Sequence, residues 1–490
     1  RLCHLRSEDW GTKRVRSRRY KRALVLGLGR SGMAAARLLM GEGTAVTAVD
    51  QSDSGAPVRN AAELKAKGAV ALLGIQDIGP VLHALPAHRP RAARAFDICI
   101  VSPGISSRGE WIQAVERAGI EVIAELELGA SRCGCEIVAI TGSKGKSTAV
   151  KLCVESLVAA GVRAAPAGNY GVPLCEVAPQ SGGLDWVVVE VSSFQLERVK
   201  KFRPRVGVLL NIQPDHLDRH GSFEEYTRIK MRLFENMTKR DVAIVLDMNL
   251  PEVAARSDAA RGGKAPRWIS FGLTAEADSR FTENRVLLGR RITGAKGRLA
   301  PAVEVNLETT LFANRVLGTA AAAVAAAVTA CGIEPQAVEK AARAFQSLPH
   351  RMMDLGAVRG VRFINDSKGT SLSALQAALE MVQAPVRLIA GGLLKEKDLE
   401  TVKEMLEKKT SRVYLIGFAA QEMLSAWQPA VNCLLCGELE RATREAFKEA
   451  LPGETVLLCP GCASFDQFRN FEDRGEQFIK IVRSIEKECT

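Results

Sequence analysis

One stretch constrains this chain more than any other. An apolar run, Glu136-Ile-Val-Ala-Ile140, passes straight into Thr141-Gly-Ser-Lys-Gly-Lys-Ser-Thr148 and then into a helical pattern. A strand that ends in a glycine turn before a helix aims successive backbone N–H groups and a helix N-terminus at one point. That arrangement cradles phosphate oxygens. Lys146 can reach terminal phosphates, and the Ser147 hydroxyl can ligate Mg²⁺. Gly142, Ser143, Lys144, Gly145 and Thr148 complete the candidate ATP loop. A full Walker A loop has a glycine five residues before Gly145, where this chain has Ile140, so the loop is a shorter one. The bland alternative, a tight turn that happens to contain Gly-Lys-Ser, sits poorly with the placement between strand and helix.

Around this loop, short apolar strands alternate with helical segments, which predicts an α/β chain with parallel sheets covered on both faces. At 490 residues the chain is long enough for two to four domains. Three blocks emerge: 23–123, 124–348 and 349–490, behind a disordered basic extension over 1–22. The first opens with Ala23-Leu-Val-Leu26, a glycine turn and a helix from Ser31 to about Met40. Pro80 to Arg94 reads as an insertion or mobile connection, and Val316 to Ala330 as a buried helix. The middle block is expected to close with a helix near Ala341 to Gln346.

Charge is uneven. Residues 1–22 hold nine Lys/Arg against Glu8 and Asp9, so this segment carries +7 of the formal +12. Without interleaved aromatics it does not read as a nucleic-acid arm, and without an apolar core it is no signal peptide. No run approaches the ~20 apolar residues of a membrane span. A cytoplasmic chain, a monomer, with no nucleic-acid partner and no membrane insertion, is expected. The twelve cysteines then belong to a reducing compartment. Cys433/Cys436 and Cys459/Cys462 have CxxC spacing, but they fall in or just after apolar strand runs rather than on zinc-knuckle loops, so structural zinc is not expected.

Three further groups carry chemistry. Gly27-Leu-Gly29-Arg30-Ser31-Gly32, with Asp50 after the next strand, fits a dinucleotide fingerprint. By itself it leaves a nicotinamide oxidoreductase open. Glu190 ends a strand beside the phosphate loop, where a carboxylate can hold Mg²⁺. Asn211-Ile-Gln-Pro-Asp215-His216-Leu-Asp218-Arg219-His220 stacks costly polar groups where another strand ends, which argues for ligation or catalysis over a solvated loop. Lys230 alone would be read as a surface lysine.

Taken together these segments resemble the Mur ligase family, most closely its D-glutamate-adding branch, from about Ala23 to Phe478. The resemblance also rests on Ser102-Pro103-Gly104, Gly168-Asn169-Tyr170-Gly171, Glu190-Val-Ser-Ser-Phe-Gln-Leu-Glu197, Asn314, Pro349-His350-Arg351, Ile364-Asn365-Asp366-Ser-Lys368, Gly391-Gly392 with Lys395, and Cys462-Ala-Ser464-Phe-Asp-Gln-Phe-Arg-Asn-Phe471. It implies a Rossmann-like N-terminal domain that holds the UDP part of a precursor, a central P-loop ATPase-like domain and a Rossmann-like C-terminal domain. Gly29, Arg30, Ser31, Gly32, Asp50, Ser102, Pro103, Gly104 and Asn169 would meet the UDP substrate. Asn314, Arg351 and Asp366 would join the ATP loop. Lys368, Thr370, Lys395, Ser464, Phe465 and Phe471 would meet D-glutamate. Lys230 would be carbamylated and would share two Mg²⁺ ions with Ser147, Glu190 and His216. Three positions depart from the family's pattern: Lys144 where Asn is usual, Ala313 where His is usual, and Leu394 where Asp is common.

The expected reaction joins D-glutamate to UDP-N-acetylmuramoyl-L-alanine in peptidoglycan precursor synthesis. Lys146, Glu190, His216, Lys230 and His350 are the candidate catalytic residues, and either His216 or His350 would take the amine proton. Another Mur-type or folylpolyglutamate-type ligase is the alternative within the class. A nicotinamide oxidoreductase and a non-catalytic nucleotide-binding scaffold are the alternatives outside it.

Overall fold

The computed structural model describes residues 19–83, 95–249, 265–293, 303–395, 398–428 and 430–489. Most of the basic extension and the 84–94 part of the Pro80–Arg94 connection lie outside them. By its contacts the chain divides into two compact units. One holds residues 1–310 and 318–343; the other holds 311–317 and 344–490.

The first unit contains two sheets. Arg22–Leu26 (β1), Ala45–Val49 (β2), Val70–Leu72 (β3), Ile98–Val101 (β4) and Val122–Ala124 (β5) form a parallel sheet in the order β3-β2-β1-β4-β5. Alternate residues of β1 feed two separate cores, Ala23 and Val25 on one face, Leu24 and Leu26 on the other. This is why the strand reads as an unbroken apolar run. Helix Arg30–Gly41 (α1) starts directly after the first glycine turn.

The second sheet comprises Glu136–Thr141 (β6), Ala164–Gly168 (β7), Trp186–Glu190 (β8), Val206–Leu209 (β9), Val242–Leu246 (β10), Arg267–Gly272 (β11), Ser279–Thr282 (β12), Arg285–Leu288 (β13) and Val303–Asn306 (β14). Its order is β14-β13-β12-β11-β10-β9-β6-β8-β7. The chain leaves β6 for β7 and β8 on one side and returns to β9 on the other. The carboxyl end of β6 is therefore a topological switch point, where open α/β sheets bind ligands. Helix Lys146–Ala159 (α2) leaves from that end. The expected alanine-rich helix runs over Arg315–Ala330 (α3), with Ala321 through Val328 almost wholly buried. No helix among the described residues is long and apolar enough to cross a membrane.

The second unit holds a six-stranded sheet: Met353–Val358 (β15), Val361–Asn365 (β16), Val386–Gly391 (β17), Thr410–Ile416 (β18), Cys433–Gly437 (β19) and Thr455–Leu458 (β20), in the order β15-β16-β20-β17-β18-β19. Only the β15–β16 pairing is antiparallel. Helix Phe471–Cys489 (α4) closes the chain. Cys433 and Cys436 lie on β19 but enter opposite cores, Cys433 with Cys459 and Cys462 on one face, Cys436 on the other. One expectation is corrected. The helix placed at Ala341–Gln346 runs from Gln336 to Ala344, because Pro335 fixes its start five residues earlier.

Candidate active site

The phosphate loop is built by β6 and α2. Gly145 sits at φ 82° as the residue before α2, a left-handed conformation that glycine adopts at little cost. Asn211, just past β9, clamps the loop: its Oδ1 accepts from the N–H groups of Ser143 (3.0 Å) and Lys144 (2.9 Å), and its Nδ2 donates to the Lys144 carbonyl (3.2 Å). Ser143 Oγ exchanges hydrogen bonds with Gln213 and meets Tyr226 Oη at 3.0 Å. Two N–H groups expected to face phosphate are thus engaged within the protein. The first turn of α2, Gly145 to Thr148, is where helix N-terminal N–H groups would be free to meet an anion. Lys146 Nζ donates to the carbonyls of Gly142 (2.8 Å) and Ser143 (3.0 Å). The unusual Lys144 reaches Asp215 Oδ2 at 3.6 Å.

The metal-ligand candidates gather at the same end of the sheet. Glu190 is buried at the end of β8; its Oε1 accepts from Asn169 Nδ2 at 2.7 Å, while its Oε2 is buried without a hydrogen-bond partner. A buried carboxylate oxygen left in this way is costly unless a cation meets it. Lys230 is no surface lysine. It lies on helix Phe223–Met231, 1% exposed, with Nζ donating to the Gly142 carbonyl at 2.8 Å. Burial, reinforced by Lys146, pushes its amine well below the usual lysine range. His216, half exposed at φ 54°, stacks near Phe194 (4.9 Å) and lies 3.8 Å from Asp215 Oδ1. Burial, with Lys146 and Lys144 adding to it against the pull of Asp215, lowers its pKa and favours the neutral ring.

The polar run from Asn211 to His220 divides. Asp215 and His216 stay with the loop. Arg219 pairs with Glu197 at 2.8 and 3.0 Å and covers the Phe194 ring at 4.1 Å, while buried His220 meets Ser193 Oγ at 3.1 Å. Glu197 thus joins both side chains, and Arg219 also donates to the Ile105 carbonyl at 2.9 Å.

In the first sheet, Asp50 accepts from the N–H groups of Leu28 (2.6 Å) and Ser52 (2.9 Å), and Ser102 Oγ donates to the Gly27 carbonyl (2.9 Å). Both side chains therefore shape the glycine turn. A Cβ at Gly32 would stand 1.8 Å from the Gly27 oxygen, so only glycine fits there. Gly29, Arg30 and Gly104 are exposed, and Ser31 and Pro103 half-buried. Arg30 donates to the Gly171 carbonyl at 2.5 Å, tying this turn to the loop that carries exposed Asn169.

In the second unit the candidates lie beyond the carboxyl ends of β16, β17 and β20. Asp366 is buried, accepts from Met352 N–H (3.0 Å) and Cys459 Sγ (3.2 Å), and burial raises its pKa to about 6 despite nearby Arg351. His350 is clamped: Asn365 donates one amide N–H to its Nδ1 (3.2 Å) and another to the Gly475 carbonyl (3.0 Å). With Nδ1 accepting, the ring proton sits on Nε2, 3.4 Å from Glu476. Lys368 Nζ lies 5.2 Å from the Phe471 ring centre. Ser464 is buried, Thr370 half-buried, and Lys395 and Phe465 exposed. Asn314 uses its side-chain amide to cap the start of α3, donating to Leu311 O and accepting from Leu317 N–H.

Tyr226 and Arg474 do not stand out as functional in the sequence, and Asn211 shows there only as the start of the polar run, not as a clamp on the loop. Arg474 is wholly buried, bonding Ser367 and the Cys462 carbonyl, and burial lowers its pKa to about 10. A signal exists: it shares the helix face of Phe478, Val482 and Ile485, a core-facing register.

Three family descriptions match consecutive stretches: the Mur ligase MurD-like N-terminal domain over residues 21–124, the Mur ligase middle domain over 140–327, and the Mur ligase glutamate ligase domain over 350–462. The UDP-N-acetylmuramoylalanine–D-glutamate ligase of Acidobacterium capsulatum is 35% identical over 462 residues, 94% of this chain and 96% of its own. This chain belongs to the Mur ligase family. The ligase of the same description from Caldanaerobacter subterraneus subsp. tengcongensis is also 35% identical, over 95% of this chain and 99% of its own. Among solved structures, a MurF ligase from Thermotoga maritima in complex with ADP has a TM-score of 0.59 at 13% identity, covering 91% of this chain and 96% of that one. A pseudomurein peptide ligase type C from Methanothermus fervidus has a TM-score of 0.53 at 17% identity, covering 95% and 100%. These likenesses carry the fold. As a Mur ligase, the chain is an ATP-dependent, amide-bond-forming enzyme, and the nicotinamide reading of its first glycine turn falls away.

Proposed function

We propose that this Mur ligase joins D-glutamate to UDP-N-acetylmuramoyl-L-alanine for peptidoglycan precursor synthesis, by way of an acyl phosphate. The observation that carries the chemistry is the pairing of an unpartnered, buried Glu190 oxygen with a buried, deprotonation-prone Lys230 at one phosphate loop. The substrate assignment draws support from the 35%-identical relatives that bear that name over almost their whole length.

A carboxylate is a poor acylating agent. The alanyl carboxylate of the precursor attacks the γ-phosphorus of ATP, forming an acyl phosphate and releasing ADP. The amine of D-glutamate then attacks the acyl carbon, phosphate leaves and a proton is lost. Lys146 and the first turn of α2 neutralise charge on the phosphoryl oxygens, and positioning plus electrostatics accounts for most such catalysis. A neutral Lys230 amine can add CO₂, giving a carbamate in place of a buried cation. Ser147, Glu190, His216 and that carbamate would hold Mg²⁺, which supplies positive charge opposite the phosphates. We assign His350 a positioning role, since its acceptor nitrogen is occupied by Asn365. Arg351 and Asp366 are assigned to the nucleotide. Lys368, Lys395, Thr370, Ser464, Phe465 and Phe471 are assigned to D-glutamate, the two lysines pairing with its carboxylates. The exposed edges of the first glycine turn, with Ser102 to Gly104 and Asn169, are assigned to the UDP moiety.

The test is phosphate release from ATP with a panel of amino acids and UDP-muramoyl precursors, each omitted in turn. Release only with D-glutamate and the L-alanyl precursor is expected. Equal release with another amino acid, or with a folate acceptor, would overturn the substrate assignment.

A further inference from the structure

Cys133-Gly134-Cys135 forms the turn between helix Glu125–Ala130 and β6, the strand that delivers the phosphate loop. The two sulfurs lie 3.6 Å apart, in contact through a thiol–thiol hydrogen bond. Both residues are half-buried, as are Cys331 and Cys489, whereas Cys99, Cys153, Cys175, Cys433, Cys436, Cys459 and Cys462 are buried. Glycine between them has no side chain to hold them apart. Its N–H is fixed by Ser181 Oγ at 2.7 Å, and Ser181 in turn donates to the Ala178 carbonyl at 2.6 Å. The turn is thus pinned, with both cysteines only partly covered where they pack against the edge of the core.

We propose that Cys133 and Cys135 are a redox-active dithiol that exchanges with low-molecular-weight disulfides of the glutathione type. The Cys133 thiolate attacks one sulfur of the incoming disulfide and expels one thiolate, leaving a mixed disulfide. The Cys135 sulfur, having lost its proton, attacks Cys133 Sγ and expels the second thiolate. Two protein thiols are oxidised and one disulfide is reduced to two thiols. Closure to a bond of about 2 Å needs a contraction of only about 1.5 Å. Direction of attack is set by the local chemistry. The hydrogen bond shared with Cys135 is the chief cause lowering the Cys133 pKa, and the same bond raises that of Cys135. Burial pushes the thiols of Cys99, Cys153, Cys175, Cys331, Cys433, Cys436 and Cys459 upward, which keeps them inert. A closed pair would staple the turn immediately before β6.

The experiment equilibrates the full-length enzyme in glutathione buffers of increasing oxidised fraction, alkylates it and maps the peptides by mass spectrometry. Expected is joint loss of alkylation at Cys133 and Cys135, reversed by dithiothreitol, with a single glutathione adduct trapped on Cys133 in Cys135→Ser. Full alkylation of both in the most oxidising buffer would overturn the proposal without recourse to any variant. So would a Cys135→Ser protein whose Cys133 stays unmodified.

Discussion

Lys230 and Glu125 are both ionisable groups enclosed by protein, and burial favours the uncharged form of each, so their pKa values move in opposite directions. At Lys230 it favours the neutral amine, the form that can take up CO₂. Lys230→Ala is expected to lower turnover by about 10²–10³, the scale of losing a stabilising group at a charged transition state, with partial recovery on adding a short carboxylate. Unchanged turnover in steady-state phosphate release would contradict the carbamate. Glu125 accepts from the Cys175 N–H at 2.7 Å, yet its Oε2 is unpartnered, and burial raises its pKa to about 7. Because the folded-state value lies above the unfolded one, its contribution to stability is complete at low pH and is lost as pH rises through about 7. Glu125→Gln keeps the acceptor and cannot ionise. It should match the parent below about pH 4 and exceed it by about 3 kcal/mol above about pH 8, measured by denaturant titration. Parallel stability curves across that range would contradict the buried, raised carboxyl.

At the scale of elements, the loop after β6 is held by the segment just beyond β9. Asn211→Ala removes two accepted hydrogen bonds at about 1 kcal/mol each and should weaken nucleotide binding roughly tenfold or more in a calorimetric titration. Undiminished affinity would show that the loop keeps its shape without the clamp. The loop itself is legible because a strand, a glycine turn and a helix are consecutive in sequence. The clamp is not, since Asn211 lies 67 residues from Lys144 and is brought there only by strand order. Strands β3, β5 and β7 are equally hidden. They are short, and β7 is Ala-Ala-Pro-Ala-Gly, whose only strand signal is its partner β8. The β12–β14 meander escapes notice too, as its burial alternates along strands of only four residues, too short for the pattern to stand out.

Across the molecule, three parallel-rich sheets place the chemistry-bearing residues just beyond their carboxyl ends, where open α/β sheets bind ligands. The α/β class and the motif order can be read from the chain because the strands are buried on both faces and so stand out as apolar runs. Partners of individual side chains cannot. Arg219 and His220 look catalytic in sequence and prove to be packed with Glu197, whereas Lys230 looks superficial and proves to be enclosed. Polar residues signal their cost in sequence, but only the fold says which neighbour offsets it. The central claim is that this enclosed centre makes a carboxyl group reactive by phosphorylating it. The direct measurement labels the alanyl carboxylate of the UDP precursor with heavy oxygen and tracks the label during turnover with ATP and D-glutamate. One labelled oxygen in each released phosphate is the expected result; phosphate free of label would contradict the acyl phosphate.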